Sequence, residues 1–354
     1  MAPAGRLSGI LLAGSLFAAC FPFGDRSEPS ELFPSDSVSR AIAVKIIPET
    51  LELLNRVEPD AAAFFGSIQL GPDSLIWVGD LSTSSIRRFT LAAEELPPIR
   101  SGEIAYPYLA GRSGSSSFVY DVGTEMLLRL DGENVEATWS LPTRTGGLSL
   151  SRFVSVLNGY SYVKDAGSLD HATMAVSRLG EAPVRTRLPG KPWRYHGILR
   201  AWGDRMAGVS SFRPVLYFFD PSAQLDSMSL KGFNSPMLAR SRAFELGEVA
   251  DPPLMISSFS TIGERLFVLN VRPGTLRIDE YDAAGTLQQV FQREAPEPES
   301  FTPIDLLALP NVAGHLTFYV LSTSTEYGAL SLDYRSRLDV LTRIPTPTEN
   351  SKTY

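Results

Sequence analysis

The segment Leu75–Asp80 (LIWVGD) is an apolar strand that ends in one short polar residue. It decides the fold because it recurs five times, with Asp, Asn or Ser as the final residue. The other copies are Phe118–Asp121, Tyr162–Asp165, Met206–Ser210, Phe267–Asn270 and Phe318–Ser322. The polar ends follow one another at intervals of about 40 to 60 residues, close to the length of a four-stranded propeller blade. The chain therefore contains six copies of one supersecondary unit.

Each copy has the parts of a small antiparallel sheet. In the first copy, strand Ala63–Leu70, a turn at Gly71-Pro72-Asp73 and the segment itself precede a third strand at Ile86–Thr90. Asp and Gly suit the turns, and the strands are rich in β-branched and aromatic residues. Such a sheet cannot bury both faces alone, but radial stacking buries them. We predict an all-β fold, a six-bladed β-propeller of four-stranded antiparallel blades over residues 40–345.

Three local expectations accompany this fold. The longest interval contains an insertion at 234–250, with a short helix at Pro236–Phe244. Ala41–Ile47 is predicted to be a strand that closes the ring at the last blade, and Glu49–Val57 a helical turn or linker. The last copy is expected to end in two strands, at Leu330–Leu332 and Leu338–Ile344.

The pattern "apolar-x-Val-x-Asp, polar turn, Ile-x-x-Phe, Asp-x-x-Gly" resembles the six-bladed propellers of the NHL-repeat and bacterial lipoprotein type over about residues 60–345. The resemblance implies an architecture but no single activity, since such propellers include binding proteins, lyases, lactonases and scaffolds. It also implies that Asp80, Asp121, Asp165 and Asn270 are structural turn residues and not a metal site.

The first twenty residues resemble a lipoprotein leader. Arg6 precedes an apolar stretch, Leu7–Ala19, which is too short to span a membrane because a spanning helix needs about 20 residues. The only cysteine, Cys20, follows small residues, as in the bacterial lipobox, although Phe17 stands where Leu is more usual. We predict a signal peptide at 1–19 and lipidation of Cys20. The alternative is an ordinary cleaved signal peptide.

Segments rich in Pro and polar residues flank the predicted propeller. Residues 20–39 are interpreted as a flexible tether, with a structured N-terminal arm as the alternative, and 346–354 as a loose tail. The expected location is the cell envelope, where a lipid anchor holds the domain in the periplasm or at the exterior. Phe21 after the cysteine is not an Asp-type retention signal, which favours the outer membrane.

Composition excludes several classes of protein. With 354 residues, of which 44% are hydrophobic, the chain has enough apolar sequence for a large core. A net charge of −7 argues against nucleic-acid binding, which needs a basic surface. A single cysteine rules out an internal disulfide. We expect a monomer whose membrane contact is the lipid.

No catalytic motif is present, so no catalytic residue, metal or cofactor is predicted. The three histidines His171, His196 and His315 lack metal-ligand spacing. Arg194, Tyr195 and His196 precede the inner strand of blade four, where residues of a propeller line the mouth of its channel. They are candidates for binding an anionic or sugar-like ligand, and the alternative is a packed aromatic loop with a solvated arginine.

The sequence predicts a membrane-anchored binding or scaffolding module for a ligand or protein, without catalysis. The alternative function is a metal-dependent propeller enzyme of the lactonase or lyase type. Such an enzyme needs three or four Glu, Asp, Asn or His side chains that converge at the channel mouth.

Overall fold

The computed structural model describes residues 36–59, 63–144, 151–168, 170–294, 301–311, 315–327 and 332–343. Helix α1 (Asp36–Ala43) and strand β1 (Glu49–Val57) come first. Cys20, the predicted signal peptide, most of the predicted tether and the predicted tail lie outside the described residues. No helix in the described part of the chain is both long and apolar enough to cross a membrane.

Sixteen strands form four separate antiparallel sheets, in which each strand pairs with the next along the chain. Blade one contains β2 (Phe65–Leu70), β3 (Ile76–Asp80), β4 (Ser85–Phe89) and β5 (Glu95–Ile99). Blade two contains β6 (Pro107–Ser113), β7 (Ser116–Asp121), β8 (Met126–Asp131) and β9 (Asn134–Ser140). Blade three contains β10 (Arg152–Leu157), β11 (Tyr160–Asp165), β12 (Thr173–Arg178) and β13 (Val184–Arg187). Blade four contains β14 (Leu199–Trp202), β15 (Arg205–Val209), β16 (Val215–Phe219) and β17 (Leu225–Ser229).

The remaining strands form one eight-stranded sheet in the order β18-β19-β20-β21-β1-β24-β23-β22. Its later members are β18 (Ile256–Ile262), β19 (Arg265–Asn270), β20 (Thr275–Tyr281), β21 (Leu287–Glu294), β22 (Thr302–Pro310), β23 (Leu316–Tyr327) and β24 (Leu332–Arg343). A 3-10 helix (Pro192–Tyr195) precedes blade four, and helix α2 (Leu238–Glu245) follows it. The helix that the sequence predicts at Pro236–Phe244 is confirmed.

Apolar clusters lie between neighbouring sheets, as radial stacking requires. The cluster between blades two and three joins Tyr120 to Val154, and the one between blades three and four joins Tyr162 to Leu199. The last cluster packs Tyr319 and Leu338 of the eight-stranded sheet against Phe65 and Val78 of blade one, which closes the ring. Burial of both faces of each sheet explains why strands such as Val215–Phe219 are apolar throughout.

The structure differs from the prediction of six separate blades, because the hydrogen bonds define four separate four-stranded sheets and one eight-stranded sheet. The difference arises at β1. This strand pairs antiparallel with β24 from Leu51 to Val57, and through Glu49 and Thr50 it also pairs in parallel with β21. One strand thereby joins two groups of strands that the sequence places in different blades.

The N-terminal expectations are also wrong. Ala41–Ile47 is not a strand, since α1 covers Asp36–Ala43, and the strand that closes the ring is Glu49–Val57. Ser39 is buried, and Ile42 and Ile46 pack against the core between blade four and the eight-stranded sheet. Ser39 and Ile42 lie three residues apart on one face of α1, whereas Ile46 lies in the segment after the helix. Residues 36–39, the end of the predicted tether, therefore belong to α1.

The last copy of the repeat lacks its predicted final turn. β24 is continuous from Leu332 to Arg343 and pairs with β23 along its whole length, so Asp333 and Tyr334 lie inside a strand. The second predicted strand, Leu338–Ile344, is part of this longer strand over its described residues, while Leu330 and Ser331 of the first predicted strand lie outside the described residues. The outer edge of β24 would otherwise expose unpaired backbone groups, and β1 covers it.

Candidate functional site

The polar residues that end the second strands are held by their own blades. Asp80 accepts hydrogen bonds from Ser82 at 2.7 Å and from the Arg87 guanidinium at 2.7 Å. Burial alone would raise the pKa of Asp80, but the hydrogen bonds from Ser82 and Arg87 outweigh it, and the pKa is lowered. This carboxylate ties the turn to the neighbouring strand.

The other members of this set have comparable local partners. Asp121 accepts from the backbone N–H groups of Ala105 and Tyr106 and from Thr124. Asp165 pairs with Arg152 at 3.0 Å. The Asn270 amide donates to the Val268 carbonyl at 3.3 Å. Among the described residues, no group of three or more His, Cys, Asp and Glu side chains has a metal-binding arrangement.

An arginine occupies the centre of the ring. Arg200, on the inner strand of blade four, contacts both carboxylate oxygens of Asp305 at 2.7 Å. Its guanidinium also donates to the carbonyl oxygens of Ile68, Phe259 and Leu306, at 3.1, 2.5 and 2.5 Å. These carbonyl groups belong to inner strands of blade one and of the eight-stranded sheet, so the Arg200 side chain from blade four bridges the channel.

The carboxylate of Asp305 is satisfied from several sides. Ser258 donates to it at 2.5 Å, and the Ile68 backbone N–H at 2.9 Å. Its side chain is only 3% exposed. Burial, with the charge of Asp305 nearby, raises the pKa of Tyr108 well above its usual value. The channel therefore holds at this depth an ion pair between the partly buried Arg200 and the buried Asp305, with further hydrogen bonds to both groups.

A second buried charge lies between blades three and four. Lys164 on β11 has no measurable exposure, and no hydrogen-bond partner of its Nζ is present in the described structure. The amine lies 5.0 Å from the ring centroid of Phe153. A Cβ on Gly208 would stand 3.2 Å from Nζ, so the glycine leaves room for the amine. Burial lowers the pKa of Lys164 to about 7.

His196 lies beside this lysine. Its ring packs edge-on against Phe153 at 5.1 Å and stacks on Phe212 at 5.2 Å. Burial, together with the charge of Lys164, lowers the pKa of His196 to about 3. The imidazole is consequently neutral at physiological pH and forms part of the packing between the blades.

Arg194 and Tyr195, the other two residues of the predicted site, line a cavity of about 270 Å³. This blade 3–4 cleft lies between the loop that enters blade four and the outer strands of that blade. Its remaining lining residues are Pro189, Gly190, Arg213, Tyr217, Leu225, Asp226 and Ser227. His196 is not among them, so the structure brings together two of the three predicted residues.

Sequence reasoning missed several members of these sites. Lys164 was visible as a lysine inside an apolar strand, in a chain that has very few lysines. Arg200 and Asp305 lie far apart along the chain, and no spacing rule connects them. Arg213 lies in the turn between β15 and β16 of blade four, and only the tertiary fold brings it to the cavity that Arg194 also lines.

No known family model matches the chain, and no curated protein matches it. The structure is similar to a catalytically inactive virginiamycin B lyase from Staphylococcus aureus with quinupristin, with a TM-score of 0.50 and 11% identity over 83% of this chain and 100% of that chain. A glutaminyl cyclase from Myxococcus xanthus has a TM-score of 0.39 and 14% identity, over 83% of this chain and 99% of the other. Kluyveromyces lactis Hsv2 has a TM-score of 0.42 and 12% identity, over 80% of this chain and 100% of the other. At such identities the likeness concerns the fold alone. The chain is an all-β propeller built from four-stranded antiparallel blades.

Proposed function

We propose that this chain is a lipid-anchored propeller that binds a ligand or partner at a membrane surface, without catalysis. The observation that carries the proposal is the ion pair between Arg200 and Asp305 inside the channel. Propeller enzymes need reactive side chains that converge at the channel mouth, whereas here Arg200 and Asp305 satisfy one another inside it. The carboxylates of Asp80 and Asp121 are likewise engaged within their own blades.

The proposal includes a six-bladed count. The eight-stranded sheet divides between β21 and β1, where only two residue pairs are in register. On either side lie four antiparallel strands, β18 to β21 and β22 to β24 with β1. In this interpretation the N-terminal strand supplies the outer strand of the sixth blade.

Exposed apolar side chains next to the predicted tether support membrane association. Val44 is 84% exposed and Ile47 is 83% exposed, and both lie between α1 and β1. Residues 20–35 would connect this corner of the propeller to a lipid on Cys20. Apolar side chains near an acyl anchor add to its affinity for the interface, and acyl chains contribute about 0.8 kcal/mol per buried CH₂.

Replacing Cys20 is expected to release the protein from membranes. Full-length Cys20→Ala should move from the membrane fraction to the soluble fraction, because the thiol that would carry the lipid is lost. Fractionation, with mass spectrometry of the N-terminal peptide, measures this change. Ser27→Ala is a matched control in the same segment and should leave the protein on the membrane.

Retention of Cys20→Ala on membranes would contradict the anchor.

The non-catalytic part of the proposal has its own measurement, which is the melting temperature with and without Ca²⁺ or Mg²⁺. A rise that disappears when Asp80 or Asp121 is replaced by Asn would overturn the assignment of these carboxylates to the turns. An unchanged melting temperature agrees with it.

A further inference from the structure

Two arginines, Arg194 and Arg213, line one wall of the blade 3–4 cleft. Glu245 of α2 pairs with Arg213 at 2.6 Å, and both side chains are almost entirely buried. Arg194 and Arg242 also act on this carboxylate electrostatically. Burial raises the pKa of Glu245 against the attraction of these arginines.

The floor of the cleft is rigid and partly apolar. The Tyr195 and Tyr217 rings pack against each other with centroids 4.7 Å apart. Tyr195 donates its hydroxyl to the Pro189 carbonyl at 2.7 Å, which fixes the ring. Gly190 has a positive φ of 74°, and a Cβ there would stand 2.5 Å from a terminal nitrogen of Arg194. Glycine at this position leaves the space that the guanidinium occupies.

The opposite wall carries hydrogen-bond acceptors. Asp226 is paired with Arg205 at 3.0 Å, yet its side chain is 74% exposed. Its second oxygen accepts from the Ser227 backbone N–H at 2.7 Å. A carboxylate oxygen has more than one acceptor site, so Asp226 retains capacity for hydroxyl donors of a ligand. Ser227 adds a hydroxyl to the same wall.

We propose that the blade 3–4 cleft binds a sugar acid, with its carboxylate towards Arg194 and Arg213 and its hydroxyls towards Asp226 and Ser227. Arginine pairs with carboxylates through two parallel hydrogen bonds, and the tyrosine rings with Leu225 provide a surface for the C–H groups of the sugar. A volume of about 270 Å³ is below the usual range for drug-sized ligands and suits one monosaccharide unit. The inference rests on the proposed binding function and names its ligand class.

The test uses the full-length protein in detergent, titrated with D-glucuronate by calorimetry. We expect saturable binding of glucuronate, no binding of D-glucose at the same concentrations, and binding at least about tenfold weaker for Arg194→Gln. Arg185→Gln is the matched control, because it removes the same charge from an exposed position on β13 outside the cleft. Ser227→Phe, which fills the cleft without a change of charge, should also abolish binding.

The binding measurements test the ligand class, its specificity and the location of the site separately. Equal binding of glucose and glucuronate would refute the sugar-acid class, while inorganic phosphate that binds as tightly as glucuronate would reduce the site to a general anion site. Binding that is unchanged in both Arg194→Gln and Ser227→Phe would overturn the location. None of these results bears on the anchor, since release of Cys20→Ala from membranes is measured separately.

Discussion

Asp305→Ala is expected to lower the free energy of unfolding by about 3 to 5 kcal/mol, the usual cost of removing one partner from a buried ion pair. The variant leaves the Arg200 guanidinium in the channel among carbonyl oxygens, without its counter-charge. It also removes the acceptor for Ser258 and for the Ile68 backbone. Urea denaturation followed by tryptophan fluorescence measures the change.

Asp226→Ala is the control for this prediction. Its partner Arg205 forms an ion pair of 3.0 Å, but the Asp226 side chain is 74% exposed, so the loss should stay below about 1 kcal/mol. A second variant separates charge from packing. Arg200→Met combined with Asp305→Leu should recover much of the lost stability, because no unpaired charge remains. Equal, small effects of Asp305→Ala and Asp226→Ala would show that the channel pair is solvated.

Lys164→Met is expected to stabilise the protein. Methionine has a similar length and no charge, and it would fill the space between Phe153 and Gly208. In the wild type, burial lowers the pKa of Lys164 from 10.5 to about 7. This shift corresponds to a penalty of roughly 4 kcal/mol at pH 7, which the variant removes.

The sign of the pH dependence follows from the lowered pKa. Between pH 7 and 10.5 the unfolded chain holds a proton on Lys164 that the folded protein lacks, so wild-type stability rises with pH. The advantage of Lys164→Met should therefore be largest near pH 7 and fade towards pH 10. Urea denaturation at pH 7, 8.5 and 10 measures it, with exposed Lys231→Met as the control. An advantage that is independent of pH would mean that Lys164 is charged in the folded state.

The lowered pKa of His196 adds a second pH effect. The folded protein keeps this imidazole neutral down to about pH 3, whereas the unfolded chain protonates it near pH 6.5. Stability should decline as the pH falls below 6.5, and His196→Phe should reduce that decline. Phenylalanine can occupy the place between Phe153 and Phe212 without a titratable group.

Local patterns in the sequence predict much of the fold. The strand that ends at Asp80 and its relatives were visible because a blade is a local unit of four strands, whose turns and alternation lie within about 50 residues. The inserted helix at Leu238–Glu245 was visible for the same reason. The sequence predicts the closing strand at Ala41–Ile47 and not at Glu49–Val57, because the pairing partners Leu338–Arg343 lie near the other end of the chain.

The candidate site divides in the same way. Arg194 and Tyr195 stood out as neighbours in the sequence, and both line the cleft. Arg213 and Glu245 were not recognised, because an ion pair between a loop and a distant helix leaves no spacing in the sequence. The same holds for Arg200 and Asp305, which meet only because the ring brings all inner strands to one axis.

Short-range order along this chain, a strand followed by a turn and repeated, was sufficient to specify propeller blades, since hydrogen bonding between successive strands depends on nearby residues. The number of separate sheets, the filling of the channel and the placement of Lys164 depend on which surfaces meet after the ring closes. Those contacts join residues that are far apart in the chain, and the desolvation that sets their energies exists only in the folded molecule.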